Sequence, residues 1–308
     1  MKPKITIIMA TYNRAHFILE TIETIQNQSI VNWECLIIDD GGTDDTEEVL
    51  ASILKHDLRF QFLHRPDSYQ KGLPGCRNYG LDVAKGAYVV FFDDDDIVHP
   101  ENLRIGLEVL ETNNVDFCHY QKLAFETERP LIVNNPITIQ QYLTKADIDK
   151  VVSQKIGLAS CTVLWKKSCF NRVRFNENLL YAEEWECYSK LISENFKGVV
   201  ISNVLYYNRK HANSNTGEFY RDNPIRRASK KEAILLVIKN LKDKQLLSSS
   251  LLRYFVTLAT DFREYNLFAQ IIALLELSIF EKIKWQFFYS TFPLRLSVYK
   301  LKKTFRKI

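Results

Sequence analysis

The chain reads as an α/β protein, an open, mostly parallel sheet flanked by helices, with a helical C-terminal region appended. Three observations predict this class. Short β-like runs alternate with helix-period patterns through the first half, the principal runs end in polar loops, and after Glu218 the composition shifts to long helical segments.

The elements follow in chain order. Strand candidates are residues 5–9, 35–38, 60–63 and 88–92, short apolar runs of the length and composition expected of buried parallel strands. Between them, Ile18, Ile22 and Ile25 recur at helical spacing, and residues 44–54 open with acids suited to a helix N-terminus. Pro100 is placed to begin a helix whose apolar stripe is Leu103, Leu107 and Leu110. Residues 113–215 are less regular, with strand-like pieces at 117–120 and 199–201 and a helix at 184–193. Helical segments then run over 231–241 and 251–280. The organisation predicted is a first domain over 1–217 and a helical region over 218–308.

Composition narrows the function classes. With 308 residues, 46% hydrophobic and 25% charged, the chain can bury a sizeable core. A net charge of +4, with no basic run interleaved with aromatics in the manner of a nucleic-acid platform, argues against nucleic acid as a partner. The cysteines are scattered without the spacing of a zinc or thioredoxin-type site, so buried free thiols are expected. The apolar run at 5–9 is too short for a signal peptide and no stretch is long enough to span a bilayer, so a reducing cytoplasm is predicted.

Charge is unevenly spread. Residues 282–308 carry 8 cations and no acid, interleaved with Trp285, Phe287, Phe288, Tyr289, Phe292, Tyr299 and Phe305. Such a tail predicts a segment lying peripherally on an anionic membrane surface; the plainer alternative is a helix packed on the protein with a solvated basic face.

In open α/β sheets ligands gather outside the carboxyl ends of the strands, which singles out three loops. They read Ala10-Thr11-Tyr12-Asn13-Arg14, Asp39-Asp40-Gly41-Gly42 and Asp93-Asp94-Asp95-Asp96. Adjacent carboxylates at a strand end repel one another and stay ionised more easily around a cation, and oxygen ligands suit Mg²⁺ or Mn²⁺ with diphosphate oxygens. If strand alternation continues through the run, Asp93 and Asp95 share one face and Asp94 and Asp96 the other. A solvated acidic turn and an ordinary Asp-Gly turn are the structural alternatives.

Together with residues 75–81 (GCRNYGL), these loops resemble family 2 glycosyltransferases in order and spacing, over roughly residues 4–215. The resemblance implies the GT-A fold, a nucleoside-diphosphate sugar donor, usually a UDP-sugar, a divalent metal, Mn²⁺ or Mg²⁺, and inversion at the anomeric carbon. On that basis Ala10, Thr11 and Tyr12, with Arg14, resemble the loop around uracil and ribose, Tyr12 stacking on the base. Asp40 resembles the uracil-reading carboxylate, and Arg77 and Asn78 the pair on the nucleotide side. Asp93 and Asp94 match the nucleotide-facing part of the aspartate motif, and Asp95 the metal ligand. Further on, Glu183-Glu184-Trp185 resembles the segment supplying the catalytic base, where the second acid is usually Asp, so Glu184 and Glu183 are both candidates. Residues 207–211 with Ser214 resemble the closing segment, which places His211 beside the metal.

The acceptor expected is a glycan or a lipid-linked glycan, the latter because it would explain the basic, aromatic tail. Two other readings compete, a sugar nucleotidyltransferase and a binding module that holds a nucleotide sugar without turnover. A dinucleotide-dependent dehydrogenase is disfavoured because no GxGxxG follows the first strand.

Overall fold

The computed structural model describes residues 2–211, 215–262, 265–275, 277–291 and 293–294. The chain divides into two compact units, Met1–Ala233 and Ile234–Ile308.

The first unit begins as the alternation predicts. Strands β1 (Ile5–Thr11), β2 (Trp33–Asp39), β3 (Phe60–His64) and β4 (Tyr88–Phe92) lie in the order β3-β2-β1-β4, each pair parallel. Helices α1 (Ile18–Gln26), α2 (Thr46–His56) and α3 (Leu73–Val83) are the crossovers. β2 is buried along its whole length, and its centre, residues 35–38, reads as an unbroken apolar run. Ile18, Ile22 and Ile25 form the buried stripe of α1. A Cβ at Gly80 of α3 would stand 2.5 Å from Ile8 and 2.9 Å from Ile38, so glycine is what lets this helix lie against β1 and β2.

Beyond β4 the sheet becomes mixed. Strands β5 (Ile97–Val98), β6 (Phe117–Phe125), β7 (Ile139–Leu143), β8 (Val163–Lys166) and β9 (Gly198–Arg209) follow, with helices α4 (Asn102–Asn113), α5 (Ile148–Val152) and α6 (Glu183–Ser193). β8 lies antiparallel between β4 and β6, β6 and β9 are parallel, and β5 and β7 pair antiparallel with β9. Parallel pairing is therefore confined to β3-β2-β1-β4 and β6-β9, because β8 is entered through a 3₁₀ turn at Ser160–Thr162 that sends it back against β4 instead of through a helical crossover. α4 buries Leu103, Leu107 and Leu110 as its spacing predicts, and starts two residues after Pro100.

Register places the site. Thr11 pairs with Asp39, Asp39 with His64, and Met9 with Phe92, so the loops after β1, β2 and β4 leave the sheet side by side.

The C-terminal chain is helical, as the composition predicts: α7 (Asn215–Tyr220), α8 (Pro224–Asp243), α9 (Ser249–Phe262), α10 (Tyr265–Leu274) and α11 (Ile279–Ser290). The apolar stretch at 251–280 is divided among α9, α10 and the start of α11, which Ser278 and Glu281 open with a capping box. The second unit buries Ile238, Leu241, Leu251, Phe255, Phe268 and Ile271. All six cysteines are buried and free. No helix among the described residues is long and apolar enough to cross a membrane. Ser214 and the tail residues Phe292, Arg295, Tyr299, Lys300, Lys302, Lys303, Phe305, Arg306 and Lys307 lie outside the described residues.

Candidate active site

The first two loops are laced together by backbone hydrogen bonds. Asn13, in the left-handed region at φ 55°, accepts at Oδ1 from Thr43 N at 2.7 Å, and the Asp40 amide donates to Thr11 O at 2.9 Å. The Asp39 carboxylate accepts from the Gly41 and Gly42 amides at 3.1 and 2.9 Å, so it builds the turn. Its neighbour Asp40 faces the cleft, where Oδ1 accepts from Arg65 Nε at 2.6 Å and from Gly72 N at 3.1 Å. Tyr12 stays 46% exposed with the Lys71 ammonium 4.7 Å above its ring, the geometry of an open aromatic platform. Ala10 is half-buried and Thr11 buried at the end of β1 just before it. Arg65 and Lys71 carried no sequence signal of their own; only the fold brings them to Asp40 and Tyr12.

After Phe92 the strand ends. Asp94 and Asp95 form a turn that sends the chain back into β5, so strand alternation does not continue and the carboxylates pair differently from the sequence expectation. Asp94 and Asp95 both face the Arg14 guanidinium, at 3.6 and 3.9 Å. Asp93 and Asp96 instead converge with Cys161, with ligand atoms within 4.8 Å of one another. Asp96 is committed to the fold: its Oδ1 accepts from Arg209 N at 2.7 Å, and Arg209 Nε reaches back to Asp95 O at 2.9 Å. Asp95 Oδ2 lies 2.8 Å from His211 Nε2, which joins the end of the aspartate turn to the end of β9.

Burial and like charge dominate this cluster. Burial, then the Asp95 charge, push Asp94 up to about 7, partly offset by Arg14 and Thr11. Asp93 keeps 40% of its side-chain surface open to the cleft, yet dense surrounding protein raises it above the ordinary carboxylate range, with Arg77 opposing. Asp96 is raised for the same reason, burial first and then Asp93. Carboxylates crowded so closely fit a hard divalent cation, and Asp95 with His211 offers it oxygen and imidazole donors. The Asp93–Asp96–Cys161 group fits one poorly, because the Lys122 ammonium lies 4.0 Å from Cys161 Sγ.

Arg77 and Asn78 are both buried, and Arg77 reaches the acidic turn. Arg77 is 3% exposed; it donates to Glu183 Oε1 at 3.1 Å and Ser160 Oγ at 2.8 Å and lies 3.7 Å from Asp93. Asn78 is buried, donating to Phe175 O at 2.9 Å and Glu177 Oε1 at 2.7 Å and accepting from Phe175 N at 3.1 Å. Both project from the buried face of α3, so their polar groups serve the fold. Glu183 and Glu184 occupy the first turn of α6, where a helix N-terminus favours carboxylates. They differ in company: Glu183 is 7% exposed and held by Arg77, while half-buried Glu184 accepts from Ser160 N at 2.8 Å.

The turn that presents these acids is clamped from beyond residue 217, which the sequence did not reveal. Ala182 adopts φ 65° just before α6. Ser229 Oγ donates to Tyr181 O at 2.8 Å and accepts from Tyr181 N at 2.9 Å, Phe219 stacks on Tyr181 at 4.6 Å, and Arg226 donates to Leu180 O. The Lys230 ammonium lies 3.9 Å over the Trp185 ring, and burial draws its pKa down to about 8 against the pull of Glu184 and Glu183. Ser229→Ala removes both bonds to Tyr181 and should lower stability by about 1 kcal/mol. Chemical denaturation reads this, and an unchanged midpoint would show that the clamp contributes nothing.

Comparison with known proteins bears on family and fold. The sequence model of Glycosyl transferase family 2 matches residues 6–170. An uncharacterized glycosyltransferase of Rickettsia felis is 32% identical over 197 residues, 63% of this chain but 31% of its own length, so the chain spans about a third of that relative. The Escherichia coli UDP-Glc:alpha-D-GlcNAc-diphosphoundecaprenol beta-1,3-glucosyltransferase WfgD is 26% identical over 193 residues, 62% of this chain and 70% of its own. Among solved structures, Staphylococcus aureus TarS 1-349 in complex with UDP superposes with a TM-score of 0.63 at 19% identity, covering 92% of this chain and 78% of that one. The Pyrobaculum calidifontis mannosyltransferase PcManGT, in complex with GDP-Man and Mn²⁺, gives 0.59 at 15% identity, covering 99% and 83%. These two share the fold, and since the family match extends over more than half of its residues, the chain belongs to glycosyl transferase family 2.

Proposed function

We propose that the protein is an inverting glycosyltransferase that moves a sugar from a UDP-sugar to an acceptor hydroxyl of a growing surface glycan or lipid-linked glycan. One observation carries the reading: the loops after β1, β2 and β4 converge on an acidic turn that Arg77 joins to the paired glutamates of α6. The WfgD relative, a UDP-Glc-dependent enzyme by name, supports the donor and acceptor class. We assign catalysis to residues 1–217 and a helical accessory region to 218–308.

The roles follow from position. Tyr12 offers its exposed ring to the base, Ala10 and Thr11 line the nucleoside, and Asp40, fixed by Arg65, accepts from the base N–H. Arg14, between Asp94 and Asp95, is placed for diphosphate oxygens, with Asp93 and Asp94 on the ribose side. Asp95 and His211 would hold Mn²⁺ or Mg²⁺, which when bound stabilises the negative charge of the departing diphosphate. Glu184 is the base, because Arg77 already occupies Glu183 and the Ser160 amide holds one Glu184 oxygen while leaving the other for an acceptor hydroxyl. Direct attack at the anomeric carbon then inverts it with no covalent enzyme intermediate.

Two outcomes follow. With Mn²⁺ present and UDP release as the readout, Glu184→Gln should lose about 10²- to 10⁴-fold in turnover while retaining donor affinity, and Asp95→Ala should lose metal-dependent transfer. Full activity in either variant removes that residue from its role, and a wild type that binds donor without turnover makes the protein a binding module.

Metal binding should also depend on pH. In the folded chain Asp94 keeps its proton up to about 7, against 3.8 for the free side chain, so the folded state holds more protons across that window and loses stability as pH rises through it. A cation favours the ionised form, so the rise in Tm on adding Mn²⁺ should be larger near pH ~7.5 than near pH ~5.5. A shift equal at both values counts against the site.

Peripheral attachment to the inner face of the cytoplasmic membrane is supported by α11. Phe280, Ile283 and Phe287, on one side of that helix, are 86%, 60% and 66% exposed beside Lys282 and Lys284. Flotation with anionic vesicles at low salt should carry the full chain, with Phe280→Ser/Phe287→Ser reducing the bound fraction; no flotation of the wild type rejects attachment.

A further inference from the structure

A polar cavity of about 240 Å³ lies between β6, β7 and the 155–157 turn. Its lining includes Lys122, Lys155, Gln140, Gln141 and His119, and no acid. Lys155 is exposed and makes no ion pair among the described residues, whereas Lys122 stands near Cys161, Glu184, Asp93 and Asp96. His119 is 5% exposed; its Nδ1 lies 3.1 Å from Thr162 O, a carbonyl that can only accept, so the proton sits on Nδ1 and Nε2 remains an acceptor for a hydroxyl. The exposed Lys155 ammonium, a second lysine shared with the acidic turn, amide side chains and an imidazole acceptor make a surface for a hydroxylated ring bearing an oxyanion.

Its place in the fold gives this ligand a role. The donor loops stand at the ends of β1, β2 and β4, whereas the cavity is built on β6 and β7, across β8 from them. The 160–162 turn runs from one to the other: the Ser160 amide holds Glu184, and Thr162 lines the cavity. Lys122 spans the same gap, with its ammonium 4.0 Å from Cys161 Sγ and facing Asp93 and Glu184 as well as the cavity.

We propose that this cavity is the acceptor subsite and that it selects a sugar carrying a carboxylate or phosphate oxyanion, held by Lys155 and Lys122, with ring hydroxyls on Gln140, Gln141 and His119. This deepens the glycosyltransferase reading and rests on it for the word acceptor.

The test is saturation-transfer NMR on the full chain, with UDP and Mn²⁺ filling the donor site and D-glucuronate, D-glucose 1-phosphate and neutral D-glucose as probes. At least one charged probe should bind about tenfold more tightly than glucose, and Lys155→Gln should abolish that preference. Gln141→Ala should weaken the same probe without restoring glucose to parity. Glucuronate alone identifies a carboxylate, glucose 1-phosphate alone a phosphate, and either supports the subsite. Equal binding of glucose, no binding of either charged probe, or wild-type behaviour in both variants overturns it. UDP affinity, measured on the wild type in parallel, reports the donor reading separately: if UDP fails to bind, that reading falls while the charge preference of the cavity is still decided.

Discussion

The Arg77 guanidinium joins the two halves of the site. It rises from α3 in the parallel half, meets Asp93 at the end of β4, and continues to Ser160 and to Glu183 at the start of α6. At 3% exposure it has lost its hydration, so its charge is tolerated only because acids and a hydroxyl surround it. The dependence runs both ways. Burial raises Glu183 and Asp93, and the guanidinium is the largest influence opposing that rise in each. Phe91 and Phe175 pack over it at 5.7 and 5.3 Å, keeping water out and strengthening the electrostatics inside.

How much of this could be read in the sequence depended on whether a feature was local. β1, β2 and β4, the stripes of α1 and α4 and the loops at the strand ends were legible because burial on both faces leaves apolar runs and amphipathic helices leave a periodic stripe. The antiparallel insertion of β8 was not, since strand direction is decided by how a connection turns, and the 160–162 turn has no distinctive composition. The run from Asp93 to Asp96 shows both sides of this. Its acidity marked the site, while the pairing of its side chains depended on a turn that strand periodicity could not anticipate. The motif around Arg77 and Asn78 was legible, but a motif gives identity and order, and that α3 buries both side chains depended on its packing.

The region after 217 enters the same account through the clamp on Tyr181. A residue at φ 65° just before α6 is costly for alanine and persists only when its neighbours over-determine it. Ser229 satisfies both backbone groups of Tyr181, and the Phe219 stack covers its ring. These contacts join residues 38 to 48 positions apart, so no local pattern announces them. They set the pitch at which α6 starts and hence where Glu184 points.

Within the acidic turn the company of the carboxylates differs residue by residue. Asp96 is spent on the Arg209 amide and Asp93 on Arg77, both fixed parts of the fold. Asp94 and Asp95 share only the half-exposed Arg14 at 3.6 and 3.9 Å, too long for a close ion pair, and Asp95 adds an imidazole whose charge is conditional. Four equivalent carboxylates would bind a cation anywhere along the turn. Asp94 and Asp95, beside the β1 loop, are thus the acids of the turn whose company is a partly exposed guanidinium and a conditional imidazole, while Asp93 and Asp96 meet buried Arg77 and the backbone of β9.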